Sequence, residues 1–284
     1  MKKIVCSMLL LLVNNTSWTQ IYDCFLFFNE LELLEVRLHE LYDHVDKFVL
    51  GESRETFRGN PKPLYFEANK QHFEKFLDKI IHVIVDERIT TNNPWVRDRY
   101  QRDQIMRGLK NCNPDDLILI SDADEIIRPS VIPEIKKALE EMPEVTHRIV
   151  LCNQSMYRYY FNRFDAKDSP WPGSIGLFYK DLKKFAPDYC RGLVQRRLIP
   201  GINNAGWHLT YMGGYDRVVT KLTSWAHAEY DKPRNKDRKN IEKTIELFPL
   251  VAIDETFPKL IFNNQEKYIQ AGFIDVSQMI DQSH

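Results

Sequence analysis

The sequence predicts an α/β fold, a mostly parallel central sheet with helices on both faces. Three observations predict it. Short apolar runs recur along the first half of the chain, and between them leucines and phenylalanines fall at helical spacing. Strands separated by helices pair in parallel through right-handed crossovers. Two of the runs end in acids, at Glu52 and at Asp122, and the carboxyl ends of such strands are where an α/β sheet gathers its ligands.

The elements follow in order. "MKKIVCSMLLLLV" has two lysines and then an apolar run from Ile4 to Val13, which spans roughly half of a bilayer core. Residues 1–20 therefore read as a signal-like or short anchor segment. A working leader implies a secretory-pathway lumen, or membrane association through residues 1–20; without one the expectation is cytoplasmic. Asn14 and Asn15 each open a sequon. "IYDCFLFF" is the first strand, and Leu31, Leu34, Leu38 and Leu41 mark an amphipathic helix after it. "KFVLGE" is the second strand and is followed by a loop through Gly59, Pro61 and Pro63. Phe73, Phe76, Leu77 and Ile80 predict a helix leading into the strand "IIHVIV". Residues 95–109 read as helical, "DLILIS" as the next strand, 130–139 as a helix and "HRIVLCN" as a further strand. After Gln154 aromatics crowd together in "MYRYYFNRF", and "DSPWPGS" reads as a Pro/Gly loop. "KPRNKDRKNIEK" reads as a solvated helical surface. Residues 21–284 are expected to form one domain, in halves 21–153 and 154–284.

Composition excludes some functions. The chain has 39 basic and 40 acidic residues, a net charge of −1, so no bulk field draws it to nucleic acid. Four cysteines beyond the leader, Cys24, Cys112, Cys152 and Cys190, are widely spaced without a CxxC pair, which argues against structural zinc.

The chemistry gathers in "LILISDADEI". In extended backbone Asp122 and Asp124 point to one side, with Ala123 opposite, and two carboxylates so placed can share a hard cation such as Mg²⁺ or Mn²⁺. Bunched acids also occur as plain strand caps and turns. A haloacid-dehalogenase motif would come earlier in the chain. A dinucleotide site would need G-x-G-x-x-G where Phe28, Asn29 and Glu30 stand, and an EF-hand its fixed Gly and Glu. A metal and nucleotide-sugar site fits better. Arg99 and Arg102, three apart in "RDRYQRDQIMRGL", share a helix face that either meets phosphate or is solvated, with Asp103 beside them. Trp207 either stacks on sugar or fills the core. "SPWPGS", with Trp171, reads as a mobile loop over donor or acceptor.

The stretches "YDCFLFFNELELLEVRLHELYDHVDKFVLGESRETFRGNPKPLYF", "LILISDADEI" and "AGWHLTYMGG" resemble glycosyltransferase family 17, over residues 21 to 248. The resemblance implies a GT-A-like nucleotide-sugar-binding fold, with residues 21–153 as the nucleotide and metal half and 154–284 as the acceptor half. It implies inverting transfer of N-acetylglucosamine from UDP-N-acetylglucosamine to a glycan or glycoconjugate acceptor. It also implies a metal site of Asp122 and Asp124 with the late His208, Glu125 orienting these ligands, and uridine contacts from Glu52 and Ser53. An inverting reaction needs a general base, for which Asp168, Asp216 and Glu229 are the candidates. Two other readings use the same residues: a sugar-nucleotide pyrophosphatase or nucleotidyltransferase, and a non-enzymatic glycan-binding module.

Overall fold

The computed structural model describes residues 19–144, 148–194 and 201–277. The leader run and both sequons lie outside the described residues. Among those described, no helix is long and apolar enough to cross a membrane.

Among the described residues nine strands form one sheet: β1 Ile21–Phe27, β2 Lys47–Ser53, β3 Ile80–Val85, β4 Leu117–Asp122, β5 Glu125–Ile127, β6 Val150–Arg158, β7 Trp171–Phe178, β8 Gly201–Ile202 and β9 Gly206–Thr210. Their order is β3-β2-β1-β4-β7-β6-β9-β5, with β8 also on β6. The first four pair in parallel, as the helical connections require. β7 is antiparallel to both β4 and β6, and β5 is antiparallel to β9. The architecture is the α/β one expected, with the sheet mostly parallel.

Alternation along the strands sends side chains to two separate cores. Phe25, Phe27, Leu117 and Leu119 face the helices Leu31–Leu41 and Ile132–Glu141 on one side. Tyr22, Cys24, Ile118 and Ile120 face Ile105, Leu109 and Cys190 on the other. Both faces are therefore covered, and the β4 run is buried throughout, as its unbroken apolar sequence demands.

Four expectations need correction. The segment at Phe73 is a 3₁₀ turn, Lys70–Phe76, and Ile80 already belongs to β3. "SPWPGS" is not a mobile loop: Trp171 opens β7 and pairs with Gln154, because the run from Trp171 to Phe178 has a strand to join on each side. Asp122 and Asp124 do not share one extended run, since β4 ends at Asp122 and residues 123–124 form the turn into β5. The 153/154 division of the chain falls inside β6.

Candidate active site

The site is built around that turn, and its support is Arg37. In the helix Leu31–Leu41, Leu34, Leu38 and Leu41 are buried at helical spacing, and Arg37 lies in the same stripe with no exposed surface. A charge so buried must be paired and fully bonded. Its Nε donates to Asp23 Oδ2 at 2.7 Å. Its Nη2 bonds Asp23 Oδ1 and Ser121 Oγ, both at 2.5 Å, and its Nη1 donates to the carbonyls of Asp122 (3.0 Å) and Glu125 (2.9 Å). One guanidinium thus ties β1, β4 and both ends of the acidic turn.

On the opposite face Asp122 lies between two arginines. Arg102 Nη1 reaches Oδ1 at 2.6 Å, and Arg191 Nη2 reaches Oδ2 at 2.7 Å. Arg191 also grips Glu125, at 2.6 and 2.8 Å, in the bidentate geometry a guanidinium favours. Glu125 accepts the Trp171 indole N–H at 2.8 Å and the backbone N–H of Asp122 at 2.9 Å. Gly173 makes room for this, because a Cβ there would meet Glu125 Oε1 and Trp171 Nε1 at 2.3 Å. Asp124 points elsewhere. Its Oδ2 is 2.6 Å from Lys221 Nζ, which also donates to Thr210 Oγ1 at 3.0 Å. His208, paired with Glu125 across β5 and β9, brings Nε2 to 3.5 Å from Asp124 Oδ2 and packs against Trp171 with ring centres 4.9 Å apart. Burial by itself would raise both aspartates. Arg102 and Arg191 outweigh it at Asp122, and Lys221 and His208 do so at Asp124, holding both carboxyls well below their usual range.

Among the described residues no group of three His, Cys, Asp or Glu side chains is gathered to hold a metal ion. Mg²⁺ and Mn²⁺ need less, since one or two carboxylates suffice when water and phosphate complete the shell. Asp122 and Asp124 fit that requirement. Asp124 is engaged by the Lys221 ammonium, so an ion there would have to share or displace it. The His208 imidazole fits less well, because its Nδ1 is buried without a hydrogen-bond partner and ligating imidazoles ordinarily have one.

The other anticipated residues are distributed more widely. Arg102 enters the site, but Arg99 is exposed and pairs with Asp188 at 3.2 Å. Asp103 accepts the N–H of Asp188 at 3.0 Å and so fastens the start of the helix Pro187–Val194. Glu52 is fully buried and committed internally: it accepts the N–H of Phe66 at 2.9 Å and meets His82 Nε2 at 3.0 Å. Ser53 is buried beside it and accepts the N–H of Glu55 at 3.2 Å. Trp207 alternates away from His208 into the core, where its N–H donates to the Thr256 carbonyl at 3.2 Å. It fills the core and does not line the site. Asp168 bonds Arg158 at 2.5 Å. Asp216 is exposed in the first turn of the helix Tyr215–Ser224. Glu229 is exposed and bonded to His227 at 2.6 Å, a contact that holds its carboxyl below the usual range. Sequence reasoning missed Arg37, Arg191 and Lys221. Only Arg37 left a signal, as a charge in an apolar helical stripe.

Over 107 residues the chain is 40% identical to the β-1,4-mannosyl-glycoprotein 4-β-N-acetylglucosaminyltransferases of Homo sapiens and Rattus norvegicus. That stretch is 34% of this chain and 20% of each relative, so the chain spans about a fifth of the length of these curated relatives. Among solved structures it is similar to the mannosyltransferase PcManGT from Pyrobaculum calidifontis in complex with GDP-Man and Mn²⁺, with a TM-score of 0.41 and 12% identity over 89% of this chain and 70% of that one. It is also similar to the galactosyltransferase LgtC in complex with donor and acceptor sugar analogs, with a TM-score of 0.33 and 9% identity over 92% and 99% of the two chains. The sequence profile of glycosyltransferase family 17 matches residues 3–271, and the chain belongs to that family.

Proposed function

We propose that the protein is an inverting glycosyltransferase that moves N-acetylglucosamine from UDP-N-acetylglucosamine to a β-mannose-bearing glycan, with Mn²⁺ or Mg²⁺ held at the acidic turn. The observation that carries this reading is the charge balance of the site. Asp122, Asp124 and Glu125 are each met by a cation, Arg102, Arg191 or Lys221, and Asp98 also pairs Arg102, so each acid of the turn is compensated within the site. A sugar-nucleotide diphosphate with its divalent ion is close to neutral as a pair, so it enters without leaving a net charge buried. The transferred sugar and the acceptor are those in the name of the relatives that the chain matches in part, and the UDP-linked donor is what the family resemblance implies.

In this reading Asp122 and Asp124 hold the ion, with His208 beside Asp124. An ion held there would supply Lewis-acid stabilisation to the diphosphate leaving group. Arg102 and Arg191, released from the carboxylates, turn their forks to phosphate oxygens. Glu125, fixed by Trp171 and the Asp122 N–H, keeps the shape of the turn. Trp171 and His208 form the wall beside it. We assign the general base to Asp168, because of the three candidates it alone lies on a segment pinned to the site, three residues before Trp171. The sheet that runs through both halves supports 21–284 as one domain.

The test is incubation with a panel of sugar nucleotides and a β-mannoside acceptor, with and without Mn²⁺. UDP and an elongated glycan are expected. UMP with sugar 1-phosphate would indicate a pyrophosphatase, and saccharide binding without metal-stimulated turnover a glycan-binding module. Either result overturns the proposal.

A further inference from the structure

Two of the segments that send cations to the acidic turn also carry aromatic side chains outward, and these aromatics meet. The helix Pro94–Asp103 puts Arg102 on Asp122 and Trp95 seven residues earlier, on the same face and about 10 Å along the axis. The helix Tyr215–Ser224 puts Lys221 on Asp124 and runs on into Trp225, His227 and Tyr230. Trp95 and His227 stand edge to face with ring centres 4.5 Å apart, and His227 lies 4.7 Å from Trp225. Trp225 continues to Tyr211 at 5.8 Å, and Lys221 Nζ lies 5.4 Å over the Tyr211 ring. Ring contacts therefore run from Trp95 through His227 and Trp225 to Tyr211 and Lys221 on Asp124, and the helix Pro94–Asp103 joins Trp95 to Arg102 on Asp122.

This rim is not an ordinary surface. Trp95 is 40% exposed and Tyr230 48%, although both sit in a ring cluster. Exposed aromatics gathered in this way mark a binding surface. The cluster also holds buried donors without partners, the Trp225 indole N–H and one Arg58 N–H. Arg58 belongs to the rim through its contact with Asp231 at 3.2 Å.

We propose that the rim formed by Trp95, Trp225, His227 and Tyr230 is a saccharide subsite that takes one pyranose ring of the acceptor glycan. It rests on the glycosyltransferase reading of the acidic turn. The exposed rings of Trp95 and Tyr230 offer stacking to the C–H face of a pyranose. The acids of the rim are already matched within it, Asp231 by Arg58 and Lys236 and Glu229 by His227, so a neutral sugar enters without breaking an ion pair.

The experiment measures two bindings separately on the whole protein. Methyl β-mannopyranoside and chitobiose serve as saccharide probes, read by saturation-transfer NMR, and UDP with Mn²⁺ is read by calorimetry. Trp95→Ala and Tyr230→Ala remove exposed side chains, so both variants should fold, which circular dichroism checks. Saccharide affinity is expected to fall about tenfold in each variant, the size of a lost aromatic contact, while UDP binding is retained. Saccharide signals that are absent in the wild type, or equal in wild type and variants, would overturn the subsite. So would loss of UDP binding with saccharide binding kept, which would give the rim to the nucleotide. A wild-type dimer that dissociates in the variants, with saccharide binding unchanged, would make the rim a contact between copies and also overturn it. Failure of the wild type to bind UDP, with saccharide binding intact, would count against the transferase reading and leave the rim as a sugar site.

Discussion

Of the four cationic side chains that hold the acidic turn, Arg102 was anticipated, and the other three were hidden from the sequence to different degrees. Arg37 could be read, because a charge in the stripe of Leu34, Leu38 and Leu41 must be paired inside the fold. Replacing it with Met leaves Asp23 buried without its partner, at a cost of about 3–5 kcal/mol. The expected result is a lower urea midpoint with an unchanged slope, and Asp23→Leu in the same chain should recover part of the loss. A midpoint equal to wild type would show that the guanidinium contributes nothing to the turn. Arg191 and Lys221 could not be read, since their partners lie 69 and 97 residues away and nothing local distinguishes them from surface cations. Lys221 leads to a second prediction. Its ammonium sits where Asp124 would meet a divalent ion, so the two cations compete. Lys221→Met should raise Mn²⁺ affinity in the absence of nucleotide on the order of tenfold, the worth of one charge-assisted hydrogen bond. Electron paramagnetic resonance of free Mn²⁺ measures this without reference to activity, and unchanged affinity would separate the Lys221 position from that of the ion.

At the level of elements, legibility follows burial. β1, β2 and β4 were visible because strands covered on both faces write continuous apolar runs, and β3, a partly buried edge strand, because its residues are β-branched and apolar. β7 was not, because Trp171, Pro172, Gly173 and Ser174 use turn-forming residues in a strand. The glycine explains part of this: Gly173 leaves the space in which Glu125 meets the Trp171 indole. Gly173→Ala should push those two side chains apart at a cost of about 1–3 kcal/mol, seen as a changed near-ultraviolet dichroism of tryptophan and reduced transfer. A variant with wild-type spectrum and activity would show that the Glu125–Trp171 contact is dispensable. The segment before β7 carries the proposed base. Asp168→Asn should reduce kcat by about 10²–10⁴-fold, the contribution of a general base, with little change in donor KM. Asp216→Asn and Glu229→Gln, at exposed positions, should stay within tenfold of wild type in kcat. If Asp216→Asn or Glu229→Gln instead shows the large loss, the base lies on that residue.

Across the whole molecule, the two halves anticipated from the change in sequence character do not separate in space. β4, the last long strand of the first half, pairs on one side with β1 and on the other with β7 from the second half, and β5 pairs with β9. The acidic turn between β4 and β5 is therefore gripped from both halves, by Arg37 and Arg102 from one and by Arg191, Lys221 and Trp171 from the other. A chain of residues 19–144 contains β1 to β5 and most of the anticipated nucleotide half, yet it leaves the apolar β4 as an uncovered edge. It also strips Ile118 and Ile120 of their contacts with Ile175, Leu177 and Cys190 in the second core. Such a fragment should show no cooperative urea transition and should associate at micromolar concentration, whereas the chain of residues 19–277 should unfold in one step by fluorescence and far-ultraviolet dichroism alike. Adding residues 148–277 in trans should restore some soluble, cooperatively folding material if edge pairing is what the fragment lacks. A fragment of residues 19–144 that unfolds cooperatively by itself would mean that the nucleotide half is a domain in its own right, and that the antiparallel join between β4 and β7 is an interface between two domains and not the middle of one.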